Sequence, residues 1–205
     1  MAEPGLYPRA GKRALDVGLV LLALPLLLPL ALLTAGVVLA TLGRPLLFVQ
    51  QRLGRQGQPF RLVKFRTLRD GPGSDEDRLT APGRVLRALA LDELPQAWNI
   101  LAGHMSLVGP RPLPLAYLPL FTPRERRRLA VRPGLAGLAQ ARGRNAVPWG
   151  ERLEWDARYA EAPARLSADL AILGACVLCV LRGRGAAAPG HATMPALSAE
   201  RGRAT

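Results

Sequence analysis

Cysteine and histidine are scarce in this chain of 205 residues, which holds two of each. Cys176 and Cys179 lie in one apolar run, and two cysteines cannot build a disulfide scaffold. With only His104 and His191 as partners, the ligands are too few for a structural zinc site. The same shortage argues against a catalytic triad built on histidine. Both cysteines are therefore interpreted as small apolar packing residues.

Aromatic residues and the common nucleotide-binding motifs are also missing. Aromatics make up 5% of the chain, which leaves few rings on which nucleic-acid bases could stack. The sequence contains no GxxxxGK(S/T) loop, no dinucleotide GxGxxG and no GxSxG elbow. These absences argue against a P-loop enzyme, a Rossmann-type dehydrogenase and a serine hydrolase. We expect no nucleic-acid partner.

Positive charge, almost all of it arginine, dominates what is present. The chain has 28 Lys and Arg residues against 15 Asp and Glu, a net charge of +13, and its only lysines are Lys12 and Lys64. Hydrophobic residues reach 49%, which is too many for a disordered chain. Charged residues are spread through most of the sequence, which argues against a polytopic membrane protein. A basic surface of this kind suits anionic lipid headgroups or nucleotide substrates.

The longest apolar run extends from Val17 to Gly43 and carries no charged residue. It is long enough to cross a bilayer and too long for a secretory signal. Pro25 and Pro29 interrupt it four residues apart, on nearly the same helix face, so their bends should add. Each half alone spans roughly 20 Å, which is short of the ~30 Å hydrocarbon core.

Positive residues flank this run on both sides, and positive residues favour the cytoplasmic side of a membrane. We therefore predict a re-entrant helix–break–helix over residues 13–43 that enters and leaves the membrane through the same leaflet. A single kinked span is the alternative, because membrane helices tolerate proline. The flanking residues are Arg9, Lys12 and Arg13 before the run and Arg44, Arg52, Arg55 and Arg61 after it.

The chain as a whole is predicted to be an α+β, mostly helical, monotopic membrane protein. A cytoplasmic catalytic domain over residues 44–182 follows the membrane segment and carries a small β-hairpin and membrane-surface helices. Residues 1–12 form an N-terminal segment. Gly, Ala, Pro and Arg without periodicity predict a disordered tail over residues 183–205.

Local patterns within the catalytic domain predict its elements. The strands of the hairpin are Pro45–Gln51 and Phe60–Thr67. Leu170–Leu181 is an interfacial C-terminal helix, with a buried core helix as the alternative. Helices are also predicted over Arg84–Leu91, Asp92–Leu101 and Trp149–Ala162, a capping box at Thr122–Glu125, and irregular chain over Ser106–Pro114 and Arg132–Asn145.

Asp92 and Glu93 form the sharpest local feature, at the predicted start of a helix. Asp is a preferred N-cap and Glu suits the first turn, so a structural role alone explains both residues. The placement also suits chemistry, because a helix N-terminus stabilises a carboxylate and attracts phosphate. Asp92 could then attack phosphorus to form an aspartyl phosphate, and Glu93 could hold Mg²⁺.

Phosphoryl transfer also needs cations, since negative charge must be held on the non-bridging oxygens. Arginine binds phosphate with two hydrogen bonds, although a surface or structural role is the default for any single arginine. Arg111 lies between two prolines that fix its backbone, and Arg132 and Arg144 bracket a glycine-rich loop. The candidates are Lys64, Arg66, Arg87, Arg111, Arg132, Arg142 and Arg144.

Four motifs follow the membrane segment in a fixed order. They are KFRTL (Lys64–Leu68), LDELPQAWNIL (Leu91–Leu101), MSLVGPRP (Met105–Pro112) and VRPGLAGLAQARGRN (Val131–Asn145). In this order they make the chain resemble the bacterial sugar transferases, the monotopic phosphoglycosyl transferases, from about Lys12 to Leu181. Any one of the motifs would be a weak signal alone.

The resemblance implies a reaction. A sugar-1-phosphate passes from a UDP-sugar to a polyprenyl (undecaprenyl) phosphate, UMP is released, and glycan assembly begins. The implied mechanism is ping-pong with Mg²⁺ as cofactor. The implied location is the cytoplasmic face of the bacterial inner membrane, with the lipid bilayer as a further partner and a homo-oligomer left open.

The resemblance also implies roles for individual residues. Asp92 matches the family's nucleophile and Glu93 its metal-binding glutamate, and Asp156 matches a further active-site acid. Lys64, Arg87 and Arg111 match basic positions near the phosphates, and Gln140, Arg144 and Asn145 fall in the loop associated with the donor. Two alternatives stay open at this point: a non-catalytic, membrane-tethered basic adaptor and an inactive family member.

Overall fold

The computed structural model of the chain describes residues 7–183 and 196–201. Helices predominate, and the strands of these residues form two pairs. The helices are α1 (Lys12–Leu42), α2 (Asp75–Arg78), α3 (Ala81–Ala88), α4 (Gln96–Leu101), α5 (Leu138–Ala141), α6 (Trp149–Glu161), α7 (Leu166–Leu181) and α8 (Leu197–Arg201). The strands are β1 (Leu47–Leu53), β2 (Pro59–Phe65), β3 (Ser106–Val108) and β4 (Gly134–Ala136). The predicted mostly helical architecture is confirmed.

Helix α1 has 31 residues and is the one helix of the described chain that is long and apolar enough to cross a membrane. At ~1.5 Å per residue it is about 46 Å long. It continues through Pro25 and Pro29, so the predicted interruption into two helices is not confirmed. Leu22 is 78% exposed and Leu32 75% exposed. Such a helix is compatible with a surface that faces lipid.

Polar contacts attach the beginning of α1 to the domain that follows it. The buried carboxylate of Asp16 accepts hydrogen bonds from Ser106 Oγ at 3.0 Å and from the Leu107 amide at 2.8 Å. Lys12 Nζ lies 2.6 Å from Asp169 Oδ2 on α7. A buried carboxylate is stable only when it is hydrogen-bonded or paired. These contacts therefore attach the first turns of α1 to the domain.

The end of α1 is held by the same domain. The buried guanidinium of Arg66 donates to the carbonyls of Leu42, Gly43 and Arg44, where a positive charge complements the helix dipole. Val38, which is fully buried, packs in a cluster with Phe65 and Leu86. Both ends of the long helix are therefore attached to one folded domain, while its middle is exposed.

The predicted β-hairpin is confirmed. β1 and β2 pair antiparallel, with Leu47 opposite Phe65 at one end and Leu53 opposite Pro59 at the other. Phe60 and Leu62 of β2 enter the main core, where they meet residues of α4 and α7. This pairing delivers the end of β2 to the site described below.

A second strand pair lies where irregular chain was predicted. β3 and β4 are parallel and pair Ser106 with Gly134 and Val108 with Ala136. The two backbones come so close that a Cβ added to Gly134 would lie 2.1 Å from the Gly109 nitrogen. Glycine is therefore required here for backbone approach. The pairing was not predicted because both strands are short and Gly- or Pro-flanked, and neither shows alternation.

The two C-terminal helices differ in their surroundings. α7 buries Asp169 and Ile172 but exposes apolar side chains such as Val177 and Leu181, which is compatible with the predicted interfacial helix. α8 lies within residues 183–205, which were predicted to be a disordered tail. Within residues 196–201 the chain forms this short helix instead. Leu197 is 1% exposed because it inserts into a second core with Leu53 and Trp149. The short helix is stable through this tertiary contact, which no local pattern indicates.

Candidate active site

A cavity of about 550 Å³ lies between the β-hairpin, the Arg111–Tyr117 segment and the first turn of α6. Its lining contains nine cationic and four acidic side chains, so the cavity attracts anions. We call it the cationic cavity. The cations are Arg52, Lys64, Arg66, Arg69, Arg78, Arg87, Arg111, Arg144 and Arg152, and the acids are Asp70, Asp75, Asp92 and Glu93.

Asp92 lies on a 3₁₀ turn, Leu91–Glu93, at the wall of this cavity. Ala90, directly before the turn, has a left-handed backbone with φ 56°, a conformation that non-glycine residues adopt at a cost of about 1–2 kcal/mol. α4 begins only at Gln96. The helix predicted from Asp92 to about Leu101 is therefore confirmed only in part, as a 3₁₀ turn followed by α4, and the dipole of a regular α-helix does not begin at this carboxylate.

Cations on neighbouring elements surround Asp92 instead. Lys64 Nζ, at the end of β2, lies 3.9 Å from Asp92 Oδ2. Arg87, on α3, is oriented by a 2.9 Å hydrogen bond to Thr67 Oγ1. Asp92 is 4% exposed, and burial together with the charge of Glu93 raises its pKa to about 6 against the opposing effect of the cations. The carboxylate is ionised at neutral pH but poorly solvated, which suits a nucleophile.

Glu93 has a different environment from its neighbour. Arg111 Nη2 lies 2.6 Å from Glu93 Oε1, and Nη1 lies 3.4 Å from Oε2. Burial favours a higher pKa for Glu93, but the charge and hydrogen bonds of Arg111 outweigh it, and the pKa falls below its usual value. The two adjacent acids therefore differ in pKa: Glu93 stays ionised, while Asp92 titrates closer to neutral pH.

Asp156 lines neither the cationic cavity nor the apolar cavity that is described below. It is 1% exposed, and its Oδ2 accepts from Arg128 Nη2 at 2.7 Å. Arg128 Nη2 in turn donates to the carbonyl of Arg111 at 2.6 Å. Asp156 therefore supports the Arg111 backbone through Arg128, and it does not line the site as the predicted further active-site acid would.

The predicted donor loop reaches the site only in part. Arg144 and Asn145 line the cavity, and Arg144 is held by hydrogen bonds of 3.1 Å to the carbonyls of Arg87 and Ala88. Gln140 lines a different, apolar cavity and donates to the Leu135 carbonyl at 3.0 Å.

Three predicted phosphate-binding arginines have other contacts. Arg132 is exposed and donates to the Gly103 carbonyl at 2.9 Å, and Arg142 stacks 3.6 Å above the ring of Trp155. Neither of them lines a cavity of the site. Arg66 does line the cationic cavity, but its guanidinium is occupied by the carbonyls at the end of α1.

The apolar cavity has a volume of about 460 Å³ and lies between α1 and α7. Both helices present residues of one face to it, at spacings of three and four. Glu93, Arg111, Arg144 and Asn145 line both cavities, so the cationic and apolar cavities meet at these four residues. The helix residues are Leu19, Val20, Ala23 and Leu27 of α1 and Leu173, Cys176, Val177, Val180 and Leu181 of α7.

Several lining residues were not predicted. Phe48, Gln50 and Arg52 alternate along β1 and share the cavity-facing side of the hairpin. Phe48 is the cross-strand partner of Lys64, so the strand register would have identified this row once Lys64 was placed. Arg152, on α6, had no signal in the sequence.

Glu93, the predicted magnesium ligand, lies at the wall of the cationic cavity. The described residues hold no group of three or more His, Cys, Asp or Glu side chains that could bind a metal alone. Mg²⁺ commonly needs only one or two carboxylates when substrate phosphates supply the other oxygens. The Glu93 carboxylate, which lines the cationic cavity, fits that requirement.

The fold and the site together define a membrane-associated protein with a cationic cavity built on an acidic pair. The family model for bacterial sugar transferases matches residues 7–183, and the chain belongs to that family, a family of phosphoglycosyl transferase enzymes. The resemblance read from the motifs is confirmed.

Three named proteins are similar in sequence to this chain over 143 to 197 residues. The chain is 43% identical over 188 residues to the sugar transferase EpsL of Bacillus subtilis, which covers 89% of this chain and 93% of that one. It is 38% identical over 197 residues to the exopolysaccharide production protein ExoY of Sinorhizobium fredii, covering 85% and 87%. A UDP-glucose:undecaprenyl-phosphate glucose-1-phosphate transferase of Caulobacter vibrioides is 45% identical over 143 residues, or 64% of this chain and 54% of that one.

Proposed function

We propose that the protein transfers a sugar-1-phosphate from a UDP-sugar to a polyprenyl phosphate, releases UMP, and so begins assembly of an exopolysaccharide or related glycan. One observation carries the proposal. A cationic cavity and an apolar cavity meet at Glu93, Arg111, Arg144 and Asn145, next to Asp92. The first suits a nucleotide diphosphate and the second suits a hydrocarbon chain, so their junction is where a lipid phosphate would meet a sugar phosphate.

In the first half-reaction the Asp92 carboxylate attacks the phosphorus that carries the sugar. A bond forms between Asp92 and that phosphorus, the bond to the bridging oxygen breaks, and UMP leaves with the electron pair. Lys64, Arg87 and Arg111 hold the charge that develops on the phosphate oxygens. The product is an aspartyl phosphosugar.

In the second half-reaction the acceptor phosphate attacks the same phosphorus. Its oxygen forms the new pyrophosphate bond, and Asp92 leaves as a free carboxylate. Arg111 and Arg144 line both cavities and can hold the incoming phosphate while the apolar cavity holds the first part of the lipid chain. Glu93 holds Arg111 at the junction of the two cavities through two hydrogen bonds.

Glu93 is the residue that would hold Mg²⁺, which would neutralise the charge of the donor diphosphate. Glu93 is already bonded to Arg111, so metal binding would share or exchange that contact. Removing the metal with a chelator should abolish UMP release, and added Mg²⁺ should restore it.

The two attachments of α1 support the re-entrant topology over a single span. A helix that crossed the bilayer would have one end on the far side, away from the catalytic domain. Here Asp16 at the start and Leu42 at the end both contact that domain. Trp98, 68% exposed on α4, and the exposed apolar residues of α7 extend the lipid-facing surface, since Trp is frequent at membrane interfaces. With basic residues at both ends, we infer a cytoplasmic location for the domain.

Release of UMP is the direct test. Purified protein, in detergent or vesicles, is given a panel of UDP-sugars, polyprenyl phosphate and Mg²⁺, and UMP is measured. Donor alone should give one equivalent of UMP per protein and a sugar-phosphate adduct on Asp92 in the mass spectrum. Asp92→Asn should give neither, whereas Glu151→Gln, an exposed carboxylate on α6, should behave as wild type. Turnover by the Asn variant would remove Asp92 as nucleophile. No UMP with any donor would favour an inactive family member.

A further inference from the structure

Helix α8 reaches the wall of the cationic cavity from the C-terminal end of the described chain. Leu197 is 1% exposed and packs with Leu53, Leu113 and Trp149. Of these, Leu113 and Trp149 also line the cationic cavity. α8 therefore supports the cavity lining directly from behind.

Arg201 fixes the other end of α8. Its Nη2 lies 2.5 Å and 2.7 Å from the two carboxylate oxygens of Glu125, and its Nη1 donates to the carbonyl of Leu120. Glu125 follows the 3₁₀ segment Leu115–Leu120, and Leu120 ends it. α8 thus holds the segment that carries Tyr117.

A single hydrogen bond connects α8 to a cavity side chain. The Leu197 amide donates to the Tyr117 hydroxyl oxygen at 3.2 Å. Since that oxygen accepts from Leu197, the hydroxyl keeps its own proton to donate to another partner. The ring of Tyr117 lies edge-on to Trp149 at 5.6 Å between centroids, which fixes the direction of the hydroxyl. Tyr117 lines the cationic cavity.

Tyr117 lies on the wall of the cationic cavity that also contains Gln50 and Arg52 of β1. Residue Arg52 pairs in a β-bridge with Pro114, which lies just before the Tyr117 segment. Arg52 also donates to Gln50 Oε1 at 2.6 Å, and both line the cavity beside Tyr117. The cations around Asp92 come from β2, α3 and the Arg111 loop instead. Gln50, Arg52 and Tyr117 therefore form a polar wall of the cavity that does not include the cations around Asp92.

We propose that Tyr117, positioned by α8, forms a subsite for the uncharged part of the nucleotide sugar, and that α8 is needed for tight donor binding. This inference rests on the proposed function. The Tyr117 hydroxyl would donate to an oxygen acceptor of the donor, either a carbonyl of the base or a hydroxyl of a sugar. Gln50 and Arg52 supply further donors on the same wall.

The test compares three variants with wild type in the UMP-release assay. They are Tyr117→Phe, a chain ending at Pro195 that lacks α8, and the two changes combined. Each single change should raise the KM for the UDP-sugar about fivefold to tenfold, the effect of one lost hydrogen bond. The values of kcat and of the KM for polyprenyl phosphate should change less than twofold. Ser198→Ala, exposed on α8, is the matched control.

The combined variant separates positioning from general stability. If α8 acts through the Tyr117 hydroxyl, the double change should raise the donor KM no further than either single change. Additive effects, or single variants with the wild-type donor KM, would overturn the inference. A rise in the inhibition constant of UMP would place the contact on the nucleoside. An unchanged inhibition constant with an altered ranking of UDP-sugars would place it on the transferred sugar.

Direct measurement of UDP-sugar binding makes the test independent of turnover. Calorimetry of UDP-sugars with Asp92→Asn protein, with and without Tyr117→Phe, needs no chemistry. If wild type released no UMP, the proposed function would fail, but weaker binding by the Phe variant would still support the subsite. Equal binding would reject it.

Discussion

The guanidinium of Arg111 is bonded to Glu93 and not to Asp92, although the two acids are adjacent. Its Nη2 lies 2.6 Å from Glu93 Oε1. Asp92 meets Lys64 at 3.9 Å, beyond hydrogen-bond distance. One carboxylate is thereby neutralised by a close partner, while the other keeps a raised pKa and free oxygens for chemistry.

The stability of the protein should rise when Asp92 is replaced. A pKa raised to about 6 in the folded state means that ionised Asp92 destabilises the fold above that pH. Asp92→Asn should therefore increase the melting temperature at pH 8 by roughly 3 to 8 °C, from about 1–3 kcal/mol. At pH 4 the two proteins should melt alike, because Asp92 is then neutral. Glu151→Gln is the exposed control; a lower melting temperature for Asp92→Asn at pH 8 contradicts the assignment.

The first half-reaction should depend on the ionisation of Asp92. UMP release measured in a single turnover without acceptor should fall about tenfold per pH unit below pH 6, because only the carboxylate attacks. Leaving out the acceptor matters, since its own phosphate titrates near pH 6. A rate that stays flat from pH 7 to pH 5 would mean that Asp92 has an ordinary pKa or is not the nucleophile.

Arg111 should not be replaceable by lysine. Arg111→Lys keeps the charge but loses the second hydrogen bond to Glu93 and the paired contact with phosphate. A loss of about 1.5–3 kcal/mol corresponds to a decrease of roughly 10- to 100-fold in single-turnover UMP release. Arg127→Lys, on an exposed arginine outside both cavities, should retain the wild-type rate. Equal rates for the two variants would show that Arg111 acts only through its charge.

Asp156 should prove to be a positioning residue. The Asp156–Arg128 pair is almost fully buried, so Asp156→Ala leaves an uncompensated charge and should destabilise the protein by about 3–5 kcal/mol. Replacing both partners, as Arg128→Met with Asp156→Leu, should recover most of that stability, measured by melting temperature, and measurable UMP release. A well-folded double variant with no UMP release would instead indicate a direct catalytic role for the acid.

The topology of α1 can be read from accessibility. Cys176 and Cys179 are first changed to serine. Ala10→Cys then places one exposed thiol before α1 in the sequence, and Gln58→Cys places one after it. Both should react with a membrane-impermeant reagent in inside-out vesicles and neither in intact cells, because both ends of α1 contact one domain. Labelling from opposite sides would establish a span.

Local features were predicted well because neighbours in the sequence determine them. The capping box is one: the Thr122 amide donates to Glu125 at 2.8 Å, and the Glu125 amide donates to Thr122 at 3.2 Å. The hairpin and α6 also follow from patterns within a few residues. The helix from Asp92 was predicted only in part, because the chain forms a 3₁₀ turn at Leu91–Glu93 before α4 begins at Gln96.

The sequence alone determined a basic, membrane-associated chain, its family, and the acidic pair, because charge, apolar length and motif order are properties of the chain itself. Only the tertiary structure decided which arginines surround that pair. Arg111 meets Glu93 across 18 positions, whereas Arg132 and Arg142 face elsewhere. It also decided that two cavities share a wall and that α8 returns to one of them. Such contacts depend on packing between distant segments, where burial and hydrogen-bond geometry select partners that local spacing does not record.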